Sequence, residues 1–102
     1  MGSPLYSSPE QQQGGELDCR TDIWSLGLVL FEMLTGVCPF AARSIAETQL
    51  RVLSEPTPRV RELRPEIDRR LASAVERCLQ KARDRRFSSV IELSATLQEL
   101  SS

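Results

Sequence analysis

The sequence predicts an all-α fold of four or five helices packed around one central apolar helix. Three observations carry this reading. Apolar residues recur at spacings of three and four along most of the chain, no stretch alternates apolar and polar residues as a half-buried strand does, and Ser, Asp, Gly and Pro stand where helices start and stop. Internal repeats are absent, and the only low-complexity feature is a run of three glutamines.

The opening stretch, "GSPLYSSPEQQQ", begins with prolines and hydroxyl residues that favour extended and turn geometry up to Ser8. A short helix follows over about 9–13, with Pro9 in its first turn and Ser8 as cap, stopped by Gly14 and Gly15. In "DCRTDIWSLGLVLFEML" the stripe Ile23, Leu26, Leu30, Phe31 and Leu34 predicts the central helix, over about 19–35. Leu28, Val29 and Met33 fill its opposite side, so it is expected to be buried all round. Asp18 or Thr21 serves as its N-cap, and Gly36 and Pro39 end it.

A weaker amphipathic helix is expected over about 44–53, with Ile45, Leu50 and Leu53 inward. The proline-rich "SEPTPRVRELRPEI" reads as an ordered loop that buries Val60, Leu63 and Ile67. Asp68 then caps a helix over about 68–80 with Leu71, Ala74, Val75, Cys78 and Leu79 inward. A last helix over about 88–100 is capped by Ser88 or Ser89, with Ile91 or Val90, Leu93, Leu97 and Leu100 inward.

Composition narrows the function. At 102 residues the chain fits one domain with a modest core, and 40% apolar against 26% charged residues is ordinary globular usage. Thirteen basic and fourteen acidic residues give a net charge of −1, which argues against nucleic acid as a partner. The absence of histidine removes the His general base and the common zinc sets. Cys19, Cys38 and Cys78 lack a Cys-x-x-Cys pair and are odd in number, which points to a reducing, cytoplasmic setting. Neither a signal peptide nor an apolar run long enough for a membrane span is present, so the expected product is soluble and uncleaved.

Two stretches carry more specific information: "GSPLYSSPEQ", and "DCRTDIWSLGLVLFEMLTGVCPF" after it. Together they resemble the second half of a serine/threonine protein kinase catalytic domain, in wording nearest the bacterial members. Ser8-Pro9-Glu10 resembles the Ala-Pro-Glu motif at the end of the activation segment, with Ser8 in place of alanine. Asp22-Ile23-Trp24-Ser25-Leu26-Gly27 resembles the family's Asp-x-Trp-Ser-x-Gly motif, and "CLQKARDRRFSSVIEL" resembles its closing segment. The resemblance implies that residues 1–100 form the carboxyl-terminal, helical part of the large lobe, from the end of the activation segment to the last helix. Met1 is then an internal residue, and the small lobe and catalytic loop lie outside this sequence.

The same resemblance implies roles for single residues. Gly2, Ser3, Pro4 and Tyr6 correspond to the P+1 loop that receives the residue after the phosphorylated Ser or Thr; Ser3 stands where threonine is common. Eight leading residues by themselves are expected to fray, so substrate contact by this chain alone is not expected. Glu10 and Arg86 correspond to a buried structural ion pair, with Arg85 the rival partner; read without the family, they are a first-turn carboxylate and a solvated arginine. Asp22 corresponds to the anchor of the catalytic loop and, with that loop outside the sequence, is expected to face water; as plain sequence it is a first-turn residue favoured by the helix dipole.

ATP and magnesium are the complete kinase's cofactors and a protein its substrate, but this chain carries no catalytic, cofactor-binding or metal residue of that set. Its five glycines form no Gly-x-Gly-x-x-Gly, and its one lysine is Lys81. The chain alone is therefore expected to be inactive, needing the missing amino-terminal part of the domain as its partner. The alternative is a standalone helical protein-binding module derived from a kinase lobe. Trp24 and Phe31 are read as core, and the arginines at 59, 61, 64, 69 and 70, interleaved with Glu62, Glu66 and Asp68, as a solvated mixed-charge surface.

Overall fold

The computed structural model describes residues 7–14 and 18–101, and side-chain caps decide where its helices begin. Ser8 starts α1 (Pro9–Gln12) with a reciprocal capping box: its hydroxyl accepts from the Gln11 N–H at 3.3 Å, and the Gln11 side chain accepts from the Ser8 N–H at 2.7 Å. Asp18, rather than Thr21, caps α2 (Cys19–Thr35) by accepting from the Arg20 N–H at 2.8 Å. Gly36 closes α2 at φ 78°, a left-handed conformation that a side chain would strain, and its N–H donates to the Glu32 carbonyl at 2.7 Å.

Ser44 caps α3 (Ile45–Ser54) and Asp68 caps α5 (Arg69–Cys78). Ser89, rather than Ser88, accepts from the Glu92 N–H at the start of α6 (Val90–Ser101), while the Glu92 carboxylate reaches back to the Ser88 N–H at 2.8 Å. The proline-rich stretch is not purely a loop. It contains the single turn α4 (Val60–Leu63), whose first N–H finds its acceptor outside the local sequence, at Glu76 of α5.

α2 runs through the middle. Trp24, Leu28 and Phe31 on it meet Phe40 from the following loop, Val52 of α3, Val60 of α4, and Ala72, Val75 and Leu79 in and after α5. A second cluster joins Ile23 to Ala74, Cys78, Phe87 and Leu93, which fastens α6 to the base. The Cα radius of gyration is 13.2 Å, against about 13 Å for a packed chain of this length, so these helices share one body. Burial pushes the Cys78 thiol up to about 12, which leaves it a small core residue rather than a nucleophile.

Several apolar residues depart from expectation. α2 is not buried all round: Leu28 is buried, but Val29 and Met33 are 41% and 75% exposed, because they point away from the side on which α5 packs. On α3 the expected inward residues Ile45, Leu50 and Leu53 are exposed, and Val52 with Thr48 faces the core instead. Thr48 is tolerated there because its hydroxyl accepts from the Ala42 N–H at 3.0 Å. Leu63 is exposed too, leaving Val60 and the half-buried Ile67 to anchor that stretch. At the start of α6, Val90 and Ile91 face outward, and Leu93 and Leu97 carry the contact.

The crossing of α2 and α5 depends on Gly27. A Cβ built there would lie 2.5 Å from the Cys78 Cβ and 3.1 Å from Leu79 Cδ2, so the two backbones approach as closely as the absent side chain allows. Gly27→Ala sets about 1 kcal/mol of gained helix propensity against overpacking worth roughly 1–3 kcal/mol. We expect a net loss of stability, measured as a lower melting temperature; a rise would mean that the helices separate without penalty.

Candidate functional site

The site grows from two short, rigid segments at opposite ends of the chain. Pro9 and the Ser8 capping box fix the backbone of α1, which directs Glu10 inward. A 3-10 turn over Arg83–Arg85 ends in extended backbone at Arg86 (φ −78°, ψ 176°), which turns that side chain inward as well. The two meet as a bidentate pair: Arg86 Nη1 donates to Glu10 Oε2 at 2.7 Å and Nη2 to Glu10 Oε1 at 2.9 Å. Arg86 is 2% exposed and Glu10 9%. Arg85, next in sequence, is exposed.

Every N–H of the guanidinium is used. Beyond the carboxylate, Nε donates to the Gln80 carbonyl at 2.7 Å, Nη1 to Arg20 at 2.9 Å and Nη2 to Lys81 at 3.3 Å. The Trp24 ring lies beneath, 5.1 Å from the guanidinium carbon. Thr21 completes the carboxylate shell by donating its hydroxyl to Glu10 Oε2 at 2.9 Å. Burial pushes the Glu10 carboxyl up, but the hydrogen bonds from Arg86, its own backbone and Thr21, together with the Arg86 charge, outweigh burial and hold it below the usual range. The node thus binds α1, the first turn of α2, the segment after α5 and the 3-10 turn at one point.

Asp22 stands on the first turn of α2 and is exposed. It does not join Glu10 and Arg86, although its neighbour Thr21 does. Gly2, Ser3, Pro4 and Tyr6 lie outside the described residues. Among the described residues no three His, Cys, Asp or Glu side chains gather as a metal site needs, and no helix is long and apolar enough to cross a membrane.

Two contributors escaped the sequence reading. Thr21 was weighed only as a cap, yet it is 5% exposed and serves the carboxylate. Lys81 donates from Nζ to the Val52 carbonyl and lies 4.4 Å from the Phe40 ring centroid, tying the end of α3 to the segment that feeds Arg86. Burial lowers its pKa. Its standing as the only lysine in an arginine-rich chain was the available signal.

Comparison with known proteins places this arrangement. A family model described as the protein kinase domain matches residues 1–98. A probable serine/threonine-protein kinase of Clostridium acetobutylicum is 39% identical over 101 residues, covering 99% of this chain and 15% of that protein. The serine/threonine-protein kinase PknB of Mycolicibacterium smegmatis is 38% identical over 101 residues, covering 95% of this chain and 16% of its own length. The chain thus spans about a sixth of these curated relatives. Among solved structures, the autoinhibited serine kinase domain of the giant muscle protein titin superposes with a TM-score of 0.76 at 29% identity, over 93% of this chain and 28% of that one. With the family model spanning nearly all of it, the chain belongs to the protein kinase domain family.

Proposed function

We infer that residues 1–100 are the carboxyl-terminal helical part of the large lobe of a bacterial-type serine/threonine kinase, and that they serve transfer of phosphate from ATP to protein Ser or Thr once joined to the rest of the domain. The observation that carries this is the buried Glu10–Arg86 pair. A carboxylate beside the activation-segment ending, clamped by an arginine whose every donor is satisfied, is a scaffold that holds the segment above it in place. On this reading Gly2, Ser3, Pro4 and Tyr6 belong to the substrate-facing loop, and exposed Asp22 offers its carboxylate to the backbone of the catalytic loop. Three free cysteines agree with a reducing, cytoplasmic setting.

The residues present do not fit ATP or magnesium. They lack a glycine-rich phosphate loop in the sequence and a carboxylate cluster among the described residues. No step of phosphoryl transfer is therefore assigned to them, and this chain's part is to position. A second reading, a standalone helical binding module, draws on one observation: Leu26, Val29 and Met33 expose apolar surface on the side of α2 turned away from Gly27.

The purified chain should transfer no radiolabel from ATP to a basic protein substrate, and the same chain expressed within a full kinase domain should do so. Labelling by the short chain, free of contaminating kinase, would overturn the reading.

The clamp predicts stability as well. Removing one partner strands a buried charge, so Glu10→Ala should lose on the order of 3 kcal/mol in denaturant unfolding of the intact lobe. An unchanged midpoint would show the pair to be idle. Because folding depresses the Glu10 pKa, its contribution is complete above the unfolded value of about 4.3 and disappears as pH falls through the folded value. Glu10→Gln should accordingly show a flatter loss of melting temperature with acid than the parent.

A further inference from the structure

The arginines of α5 are sorted by the helix. Arg69, Arg70, Ser73 and Arg77 recur at spacings of three and four, which puts them along one exposed face of α5, while Ala72, Ala74, Val75 and Cys78 face the core. Between this face and α6 lies a groove of about 330 Å³. Its charged lining is Arg69, Arg70 and Arg77, its hydroxyls are Ser73 and Thr96, Ala74 and Phe87 lie almost wholly buried beneath it, and no carboxylate lines it.

An adjoining hollow of about 390 Å³ shares Arg69 and Ser73 and adds Arg59 and Arg61, opposed by Glu62 and Glu76. Glu76 is already committed to the Val60 N–H. Across the two hollows Arg59, Arg61, Arg69, Arg70 and Arg77 face Glu62 and Glu76, with Asp68 and Glu92 at the margin, so this side carries a small excess of positive charge concentrated in the α5–α6 groove.

The local counter-charges leave this face largely unsatisfied. Arg77 faces Glu92 at 3.6 Å and Arg70 faces Asp68 at 3.5 Å, both between half-exposed side chains, where such pairs are weak. The Arg69 guanidinium makes no ion pair or hydrogen bond among the described residues. Arg77 sits over Phe87, its guanidinium carbon 4.2 Å from the ring centroid, which holds the guanidinium at the groove wall.

We propose that the groove between α5 and α6 docks an acidic peptide segment of a protein partner, its carboxylates on Arg69, Arg70 and Arg77. Three arginines spread along a helix face match carboxylates spaced along a chain better than one compact anion.

The test is fluorescence anisotropy with a fluorescein-labelled peptide of Asp and Glu, titrated with the full chain at low salt. Saturable binding that weakens as salt is added is expected. The charge reversal Arg69→Glu with Arg70→Glu should weaken it by roughly tenfold or more. Both positions are exposed, and acidic residues suit the first turn of a helix, so the far-UV circular dichroism should be unchanged.

Ser73→Glu, which sets a carboxylate in the groove and leaves every arginine intact, should also weaken binding and keeps the test decisive should the double variant misfold. The proposal would be overturned by no saturable binding, by equal binding of the same peptide with Asn and Gln for its acids, or by unchanged affinity in both variants. Full displacement of the peptide by inorganic phosphate alone would reassign the groove to a compact anion and overturn it too.

Discussion

The Glu10–Arg86 pair is the constraint on which the arrangement of the chain's two ends depends. Burying a guanidinium is unfavourable unless each donor finds an acceptor, and here three of the five bonds go to backbone carbonyls of Gln80, Lys81 and Arg20. Those carbonyls are available only if the segment after α5 ends where it does and α2 begins where it does. The pair therefore selects one relative placement of four segments that share few apolar contacts. Apolar packing alone is less exacting, since a core accepts a sliding helix more readily than a bidentate pair accepts a misplaced oxygen.

Directly behind the pair, Trp24 links this polar node to the main core. Its ring lies under Arg86 and stacks with Phe40 at 5.9 Å, 13° from parallel. Phe40 in turn carries the Lys81 ammonium on its other contact, and Lys81 bonds α3. A chain of ring and cation contacts thus runs from Glu10 to α3, through residues sixteen to seventy-six positions apart. Gly27, three residues beyond Trp24, sets the depth at which α5 seats against the same helix.

Much of this was legible in the sequence, and what was not has identifiable causes. Caps and stops reveal themselves locally, so the helix bounds at Ser8, Asp18, Gly36, Ser44 and Asp68 could be read directly. Facing was harder. A stripe of Ile45, Leu50 and Leu53 outscores one of Thr48 and Val52 on apolarity, yet the latter faces the core because a backbone N–H from Ala42 waits there for the Thr48 hydroxyl. Long-range polar partners are invisible to periodicity: Thr21 to Glu10, Glu76 to Val60 and Lys81 to Val52 each join segments that nothing local connects. The pairing of Glu10 with Arg86 came from resemblance, since spacing alone leaves Arg85 equal to its neighbour.

The exposed sides of α2 and α5 differ in kind, and the difference bears on how the chain is completed. Val29 and Met33 are apolar and adjacent on one helix, and covering what remains exposed of the two is worth about 2–3 kcal/mol. That is a sizeable share of the roughly 5–15 kcal/mol by which a small domain is stable. A lobe that covered this side would gain much of its cohesion there, which agrees with the positioning role inferred for the chain. The α5 face offers charge instead, with little apolar area to remove from water, since Phe87 and Ala74 beneath it are already buried. Contacts of that composition form and dissolve without unfolding either partner, because the arginines are as well solvated free as bound. The apolar side of α2 is therefore suited to permanent burial within a domain, and the arginine side of α5 to a reversible encounter with a separate one.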